Sequence, residues 1–556
     1  MRQKENKISM SSNLLLFFLF VLTCLNQHSF AAELNDLYKP LLKKDQVLYE
    51  GKVSYFKSNE GGGYIGSYDS FDAQPHLYSF ENNLTFAPAD GMNISLGFNE
   101  IPPSSYTRDS FNSSGVLAAM QKFDLDYMQD YKVGLRFRCE DGEAYFNVLK
   151  KIQKAHWDWQ VPPAPKFYFT DIYTDFQNYS LGLRHVAKPQ TDWWKTSLSR
   201  ITRSLLNDKQ INVEAQLEYT TAKAKRNSDY QTINRFYNYY HHLEDKFSPG
   251  INVQYGLSDD WEFASGIVYT MPFTYEYEDR VYYADGTSRF RIGEYKLDNN
   301  VFIPLSSRFR LESNFEIALS CDLSYIEQRL AHRQKETDNS VTINPERELT
   351  YFNAKPEIKL TYLTNEDKKV KDDEFSSLSK ELLAKEQLLL EFLYQKDITC
   401  LSRSASNGAH NIIDPYNVFL YPLDYFMVTT EYATFFTGNS SNFATNIMPQ
   451  NYHLFKLSLR YGLTDYLDMG MGIGYHSSSE VDHSTLHDFK KRSYKFKPYY
   501  SFDWFFDWRF SNNTLFSFDS HYVPEYKTSI DIEGYTREYE SENRYFECTA
   551  ALKILF

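Results

Sequence analysis

The chain has 556 residues, long enough for several soluble domains or one large barrel, and carries a formal net charge of −14 at pH 7. Phe, Trp and Tyr make up 17% of the chain, yet the mean hydropathy is −0.54. Strands that alternate between lipid and water have this composition, so it favours one barrel. The acidic balance argues against a nucleic-acid-binding protein, which needs a basic surface.

Residues 1–32 are expected to be a secretory signal peptide. Arg2, Lys4 and Lys7 supply the positive start, and residues 14–22 form a short apolar stretch. No later run of 18 or more apolar residues follows, which excludes a helical membrane protein. We therefore expect export of the chain.

A lipoprotein anchored through Cys24 is the alternative, although Val21-Leu22-Thr23 lacks the small residues that precede a lipidated cysteine. Residues 33–48 are short and charged and are expected to be a periplasmic segment. Residues 49–556 are expected to form the barrel.

The first hairpins begin near residue 77. One joins residues 78–86 to 92–98 through Pro88-Ala89-Asp90-Gly91, a strong turn signal. The next turns at Glu140-Asp141-Gly142. On its incoming strand apolar side chains alternate with charged ones, so the two sets face opposite sides. The apolar set is Tyr131, Val133, Leu135 and Phe137.

Two later hairpins share a turn motif. Residues 255–262, YGLSDDWE, match residues 461–468, YGLTDYLD, and each motif joins two alternating strands. The motif resembles the tight periplasmic turns of bacterial outer-membrane channel proteins, in particular transporters associated with uptake of aromatic compounds. The resemblance covers two turns and the C-terminal strand, and it implies an outer-membrane barrel.

The last strand has an unbroken apolar face: Phe546, Cys548, Ala550, Leu552, Ile554 and Phe556. Ten residues suffice for a tilted strand to cross a bilayer. The final aromatic resembles the closing strand of outer-membrane barrels, whose last Phe belongs to the assembly signal. By that resemblance Leu552, Ile554 and Phe556 would engage the barrel assembly machinery. An edge strand of a soluble sandwich is the alternative.

Aromatic faces opposite charged faces recur over residues 309–323 and 496–510. Such strands persist in lipid only if the sheet closes. We expect an all-β fold, a closed antiparallel transmembrane β-barrel of about 14–18 strands. Short turns are expected near residues 88, 141, 258, 305, 464 and 512. Long polar outer connections are expected over residues 101–128, 187–210, 222–246, 327–346, 402–414, 435–450, 477–490 and 524–540.

One stretch departs from the strand pattern. Residues 376–394 place leucines mostly at helical spacing with Lys and Glu between them. We interpret about 366–397 as one helical insertion. The alternative is that residues 388–398 begin the next strand.

Charged side chains predicted to line the lumen are the main candidate site, because such residues set the ion preference of a pore. Pairing across neighbouring strands, which would only stiffen the wall, is the alternative. The set is Lys132, Arg136, Arg138, Arg308, Arg310, Glu312, Glu316, Lys456, Arg460, Asp468, Lys495, Lys497, Asp503, Asp507 and Arg509.

An enzyme is not expected. His476-Ser477-Ser478 is the nearest approach to a hydrolase pair, but adjacent strand residues face opposite ways. The other histidines, among them His521, are interpreted as girdle or loop residues. Neither His-Glu-x-x-His nor paired Cys-x-x-Cys spacing occurs, so no metal and no cofactor are predicted.

The resulting hypothesis is a channel or transporter for small solutes in the bacterial outer membrane, in contact with outer-membrane lipid. A non-conducting barrel for envelope assembly, polysaccharide export or surface attachment is the alternative. Oligomeric state, disulfide pairing and substrate stay open.

Overall fold

The structure is a computed structural model. It describes residues 41–64, 70–73, 76–111, 117–139, 142–160, 168–187, 205–230, 235–282, 287–365, 382–405, 451–484, 491–532 and 539–556. Within these residues no helix is long and apolar enough to cross a bilayer. The predicted signal peptide and residues 33–40 of the predicted periplasmic segment lie outside the described residues.

The described part of the chain is all β. Its strands are β1 (Val47–Tyr64), β2 (Ser70–Ala73), β3 (His76–Ala89), β4 (Met92–Ile101), β5 (Ser104–Phe111), β6 (Leu117–Arg138), β7 (Gly142–Gln160), β8 (Tyr168–Ala187), β9 (Ile211–Tyr230), β10 (Arg235–Ser258), β11 (Trp261–Thr270), β12 (Phe273–Tyr282), β13 (Ser288–Glu312), β14 (Phe315–Lys335), β15 (Val341–Leu363), β16 (Leu388–Lys396), β17 (Ile398–Ala405), β18 (His453–Thr464), β19 (Leu467–His476), β20 (Ser479–Ser484), β21 (Lys491–Phe496), β22 (Tyr499–Ser511), β23 (Thr514–Ile532) and β24 (Tyr539–Leu555).

These segments form one closed antiparallel barrel of 18 strands. Some barrel strands are interrupted, and both pieces then pair with the same neighbour, as β4 and β5 do with β6. The interrupted strands are β2–β3, β4–β5, β11–β12, β16–β17, β19–β20 and β21–β22. Closure comes from β1 and β24, which pair from Leu48↔Leu555 to Tyr64↔Tyr539. The predicted all-β closed barrel is confirmed, at the upper end of the predicted strand number.

The outer surface of the barrel carries a belt of exposed apolar side chains. Met471 is 59% exposed and Leu96 is 53% exposed, values that a water-soluble core would not leave at mid-strand. Aromatic rings border the belt at the turn end, among them Trp261, Trp508, Phe510 and Tyr466. A closed sheet pairs its backbone groups internally, and an apolar belt with aromatic borders is how such a barrel meets lipid.

Tyrosines mark the opposite border of the belt. The hydroxyl of Tyr131 donates to Gln129, two residues further from the turn, and the ring otherwise stays exposed. Tyr179 and Tyr325 repeat this arrangement with Gln177 and Glu327. This geometry is expected of a tyrosine whose ring lies in lipid and whose hydroxyl lies at the interface with water. The chain is therefore a bacterial outer-membrane β-barrel, as predicted.

The predicted helix is wrong where the chain is described. Leu388–Lys396 is strand β16, which confirms the alternative interpretation, and residues 366–381 lie outside the described part. Leu389 packs against Leu363 and Leu383, while Leu390 takes the other face. A short run rich in leucine fits a helix or a buried strand equally well, so spacing alone misled.

Two predicted connections also differ. Strand β13 continues through Leu305, and the chain reverses at Glu312–Phe315 instead. Ala187 at the end of β8 pairs with Ile211 at the start of β9, and both lie at the same end as the short turns, whereas residues 187–210 were predicted to be an outer loop. Several predicted outer loops are in part continuous strand, since β10 includes residues 235–246 and β14 includes residues 327–335. The short-turn end is assigned to the periplasm.

Candidate functional site

The inner wall of the barrel is the candidate site, and strand alternation decides which side chains reach it. On β6, Tyr131, Val133 and Phe137 are exposed to the outside, so Lys132 and Arg136 face inward. The same alternation applies to the other strands that cross the belt. Charged side chains then meet across neighbouring strands in three clusters.

The first cluster lies on β3, β6 and β7. Arg136 and Arg138 both bind the carboxylate of Glu143, at 3.3 and 2.6 Å. Further from the turn, the ammonium of Lys132 lies 2.8 Å from Glu81. The hairpin turn between β6 and β7 places Arg138 and Glu143 on opposing strands, which explains their pairing.

The second cluster lies on β11, β13 and β14. The guanidinium groups of Arg308 and Arg310 share Glu316, with contacts of 2.8 and 2.6 Å. Arg308 also lies 3.6 Å from Glu262 on the adjoining strand. All four side chains are nearly excluded from solvent, so each charge depends on its neighbours for stabilisation.

The third cluster lies on β18, β19 and β22. Arg460 forms an ion pair with Asp468 across the hairpin and lies 3.5 Å from Asp507. Nearer the middle of the wall, Lys456 binds Asp503 at 2.8 Å. This cluster follows directly from the second copy of the turn motif, whose last residue is Asp468.

His521, which was predicted to be a girdle or loop residue, belongs to the same cluster. His521 on β23 lies 2.6 Å from Asp503 through Nδ1 and 2.9 Å from the Tyr545 hydroxyl through Nε2. Its interpretation as a girdle or loop residue is wrong. Alternation along β23 could have predicted the inward position of His521, because Phe516 and Phe518 lie at even positions and face outward.

The clusters leave lysines as the charges most open to the lumen. Lys132 and Lys456 keep 44% and 40% of their side-chain surface, whereas their partners Glu81 and Asp503 keep 21% and 17%. The arginine side chains contact their carboxylates and are less exposed than these lysines. The wall is therefore close to balanced in charge, with ammonium groups nearest the water.

Three predicted lumen residues lie elsewhere. Glu312 is exposed in the turn between β13 and β14, where a bulge after Arg310 ends the alternation. Lys495 and Lys497 are exposed on either side of Phe496, which is buried. The break between β21 and β22 shifts the alternation, so these lysines lie on the face opposite to that predicted.

Arg509 is buried on β22, and its backbone N–H donates to Tyr466 at 2.8 Å. Most of the predicted set therefore lies in the three clusters. Arg509 is buried on a strand of the third cluster, and Glu312, Lys495 and Lys497 are exposed. Pairing across strands, the alternative of the sequence analysis, occurs throughout the clusters.

The candidate hydrolase pair does not assemble. His476 stacks on Tyr499, with ring centroids 4.3 Å apart. The hydroxyl of Ser477 accepts from the backbone of His453 and donates to the carbonyl of Ser478. Within the described residues no group of His, Cys, Asp or Glu is arranged to hold a metal ion. Cys139, Cys321 and Cys548 are free.

The predicted assembly residues lie on the closing strand. Phe556 is exposed, and its backbone exchanges hydrogen bonds with Val47 at 2.8 and 3.1 Å. Leu552 and Ile554 pair with Gly51 and Tyr49 on β1. These residues therefore sit at the seam where the barrel closes.

No protein-family model and no curated protein matches the chain. Among solved structures it is similar to the ferric yersiniabactin uptake receptor FyuA from Yersinia pestis, at 9% identity and a TM-score of 0.42, over 93% of this chain and 81% of that one. It is similar to the ferric-catecholate import receptor Fiu from E. coli K12 at 10% identity and a TM-score of 0.40, over 93% and 82%. A TodX monoaromatic hydrocarbon channel mutant aligns at 8% identity and a TM-score of 0.30, over 92% and 90%.

Proposed function

We propose that the protein is an outer-membrane channel that passes small polar solutes and ions through its lumen. The observation that carries the proposal is an 18-strand wall, apolar outside and charged inside. Barrels of about 16–18 strands are wide enough for an aqueous channel. A wall built only to fill the interior would place apolar side chains where Lys132 and Lys456 stand.

The proposed channel has a weak preference for anions. In the described part of the wall cations and carboxylates pair closely, and these residues form no ring of one sign. The more exposed members of the pairs are lysines, and their ammonium groups meet permeating ions first. This preference is opposite in sign to the net charge of the whole chain.

Conductance in planar bilayers tests the proposal. Wild-type protein is expected to give discrete steps, with a reversal potential in a salt gradient displaced toward the anion value. The double substitution Lys132→Glu with Lys456→Glu is expected to move the reversal potential toward the cation value. Lys150→Glu is the matched control, because Lys150 pairs with Asp175 on the outward side of the wall.

Silence of the wild-type protein and of all its variants across salts and voltages would overturn the channel proposal. Equal shifts from the double variant and from Lys150→Glu would place the selective charges outside the lumen. The resemblance of the two turns to transporters associated with aromatic compounds makes small aromatic acids the first organic solutes to test, by liposome swelling.

Surface attachment is the second candidate, favoured by the strand lengths. About ten residues cross the membrane, yet β10, β13 and β15 have 24, 25 and 23 residues. Much of the sheet therefore projects beyond the belt on the side away from the short turns. A barrel silent in bilayers whose cells lose adhesion when the gene is deleted would favour this candidate over the channel.

A further inference from the structure

Three short segments of the chain repeat one pattern that the hairpin motif does not include. Residues 41–46, 205–210 and 382–387 each read Leu-Leu-x-x-x-Gln, and a Glu follows four residues after the Gln. We call these segments the latches. They directly precede β1, β9 and β16, which are the first, seventh and thirteenth strands of the 18-strand barrel. The latches thus recur every six strands.

The latches share one backbone conformation. The fifth residue of each has a positive φ, 66° at Asp45, 58° at Lys209 and 67° at Glu386. The side chain of the Gln accepts a hydrogen bond from the backbone three residues earlier. These bonds are Lys43 to Gln46 at 2.8 Å, Asn207 to Gln210 at 2.9 Å and Ala384 to Gln387 at 2.8 Å. Non-glycine residues adopt such φ values only where the surroundings enforce them.

Each latch docks on the hairpin turn two strands further along. The fifth latch residue donates its N–H to a carbonyl just before that turn, and the fourth donates to an aspartate within it. The first bonds are Asp45 to Ala87, Lys209 to Gly256 and Glu386 to Gly462, at 2.7, 2.8 and 2.8 Å. The second are Lys44 to Asp90, Asp208 to Asp259 and Lys385 to Asp465, at 2.9, 3.1 and 3.0 Å.

Close approach explains the glycines of the turn motif. A Cβ at Gly256 would overlap the carbonyl of Asn207, and one at Gly462 would overlap the carbonyl of Ala384. The motif at residues 255–262 and 461–468 is therefore the receptor for a latch. In the first copy Ala87 takes the place of the glycine, and the same bonds form.

A third set of bonds repeats at the same interval. The residue after the turn aspartate accepts from the backbone N–H of an arginine on the next short-turn hairpin. These bonds are Arg138 to Gly91, Arg310 to Asp260 and Arg509 to Tyr466, at 2.7, 2.8 and 2.8 Å. These three sets of hydrogen bonds all recur at an interval of six strands. The barrel therefore consists of three six-strand units, each with one latch.

The latch leucines lie on the inner wall of the barrel. Leu42, Leu205, Leu206, Leu382 and Leu383 are all buried. Ala87 follows the outward Phe86 and so faces inward, and Leu42 packs against it. Leu42 and Leu382, from two different latches, belong to one buried cluster that also holds Leu515 and Leu555. Apolar packing thus continues along the wall from one latch to another.

We propose that the leucine pairs of the three latches form an apolar collar at the periplasmic end of the lumen, and that this collar is the barrier to ion flow. The proposal rests on the channel function above. The three clusters on the wall beyond the collar are charged, whereas leucine side chains offer water no hydrogen bonds. Such constrictions block ions by dewetting while the backbone around them stays fixed.

Bilayer conductance of full-length variants tests the collar. The triple substitution Leu42→Asn, Leu206→Asn and Leu383→Asn keeps the number and branching of the side-chain heavy atoms but makes the collar polar. It is expected to raise mean conductance at least about threefold by wetting the constriction. The matched control places Asn at Leu257 and Leu463, which are exposed on the outer surface at the same end of the barrel, and is expected to conduct as the wild type does.

Unchanged conductance in a folded Asn variant would overturn the collar and leave the channel proposal standing. A rise in the control equal to that in the triple Asn variant would also overturn it, because polar residues outside the lumen would then have the same effect. Silence of wild type and both variants overturns the channel and the collar together. Where the triple Asn variant lacks the gel shift of a folded barrel, the three single Asn variants are measured, and each is expected to raise conductance.

Discussion

Arg460 shows how single residues hold charge in the inner wall. Its guanidinium and the carboxylate of Asp468 are almost fully buried, so each ion depends on the other for stabilisation. Removing one partner of a buried pair leaves an uncompensated charge. Arg460→Ala is therefore expected to lower the free energy of unfolding by about 3–5 kcal/mol, measured by urea unfolding in lipid vesicles.

An exposed pair provides the control. Lys122 and Asp124 lie 2.8 Å apart but remain in contact with solvent. Lys122→Ala is expected to change the unfolding free energy by less than about 1 kcal/mol. Adding Asp468→Ala to Arg460→Ala should restore part of the lost unfolding free energy, because the buried carboxylate that the first substitution leaves without Arg460 is then removed. Equal effects from the buried and exposed pairs would contradict this account.

At the level of residues, unbroken alternation predicts which face of a strand a side chain takes. Lys132, Arg136 and Arg460 face inward as their parity requires. Their partners could not be read from the sequence, because pairing depends on the register between strands. Parity failed for Lys495 and Lys497, since the break between β21 and β22 at Lys497-Pro498 shifts the alternation.

At the scale of elements, strand β24 carries a prediction about assembly. Phe556 ends the strand that closes the barrel, and its side chain stays exposed. If the terminal aromatic is an assembly signal, Phe556→Ala is expected to reduce the folded protein in outer-membrane fractions several-fold. The readout is the heat-shifted band on gels, which counts closed barrels only.

Phe510→Ala separates the signal from general aromatic loss. Phe510 is likewise exposed at the turn end but belongs to an internal strand. It is expected to leave the folded amount near the wild-type value. Equal loss in the two variants would remove the special role of the closing strand.

The turn motif was visible in the sequence, but its docking partner was not. Asp208 and Asp259 stand 51 residues apart, and nothing local links the latch to the turn. Comparison of the three Leu-Leu-x-x-x-Gln segments with one another would have revealed the period of six strands. The segment near Leu382 was instead absorbed into a helical interpretation, because its leucines continue into β16.

At the scale of the whole molecule, the apolar belt predicts a depth-dependent cost of charge. Met471 lies at mid-strand on the outer surface and Leu463 lies at the turn end, and both are exposed. Met471→Arg is expected to destabilise the barrel by about 2–4 kcal/mol in vesicles, and Leu463→Arg by about 0–1 kcal/mol. Unfolding in urea measures both. In a water-soluble sandwich neither exposed side chain would matter.

The architecture was the most predictable level. Alternation, aromatic faces and turn signals led to a closed barrel of about 14–18 strands, and 18 are present. The length of the strands was not predictable, because stretches such as residues 327–335 are rich in charged and polar residues and were therefore predicted to be loops. Contact with lipid requires apolar side chains at alternate positions, so only the part of each strand that crosses the membrane carries this pattern.

The seam between β1 and β24 makes the order of synthesis matter. Until residues 539–555 pair with β1, the sheet has two open edges whose backbone N–H and C=O groups have no partner strand. A chain that lacks this last strand would not form a smaller pore, because its open edges would pair with other chains and aggregate. Closure by the last strand is therefore the step that separates a stable membrane protein from an aggregating one.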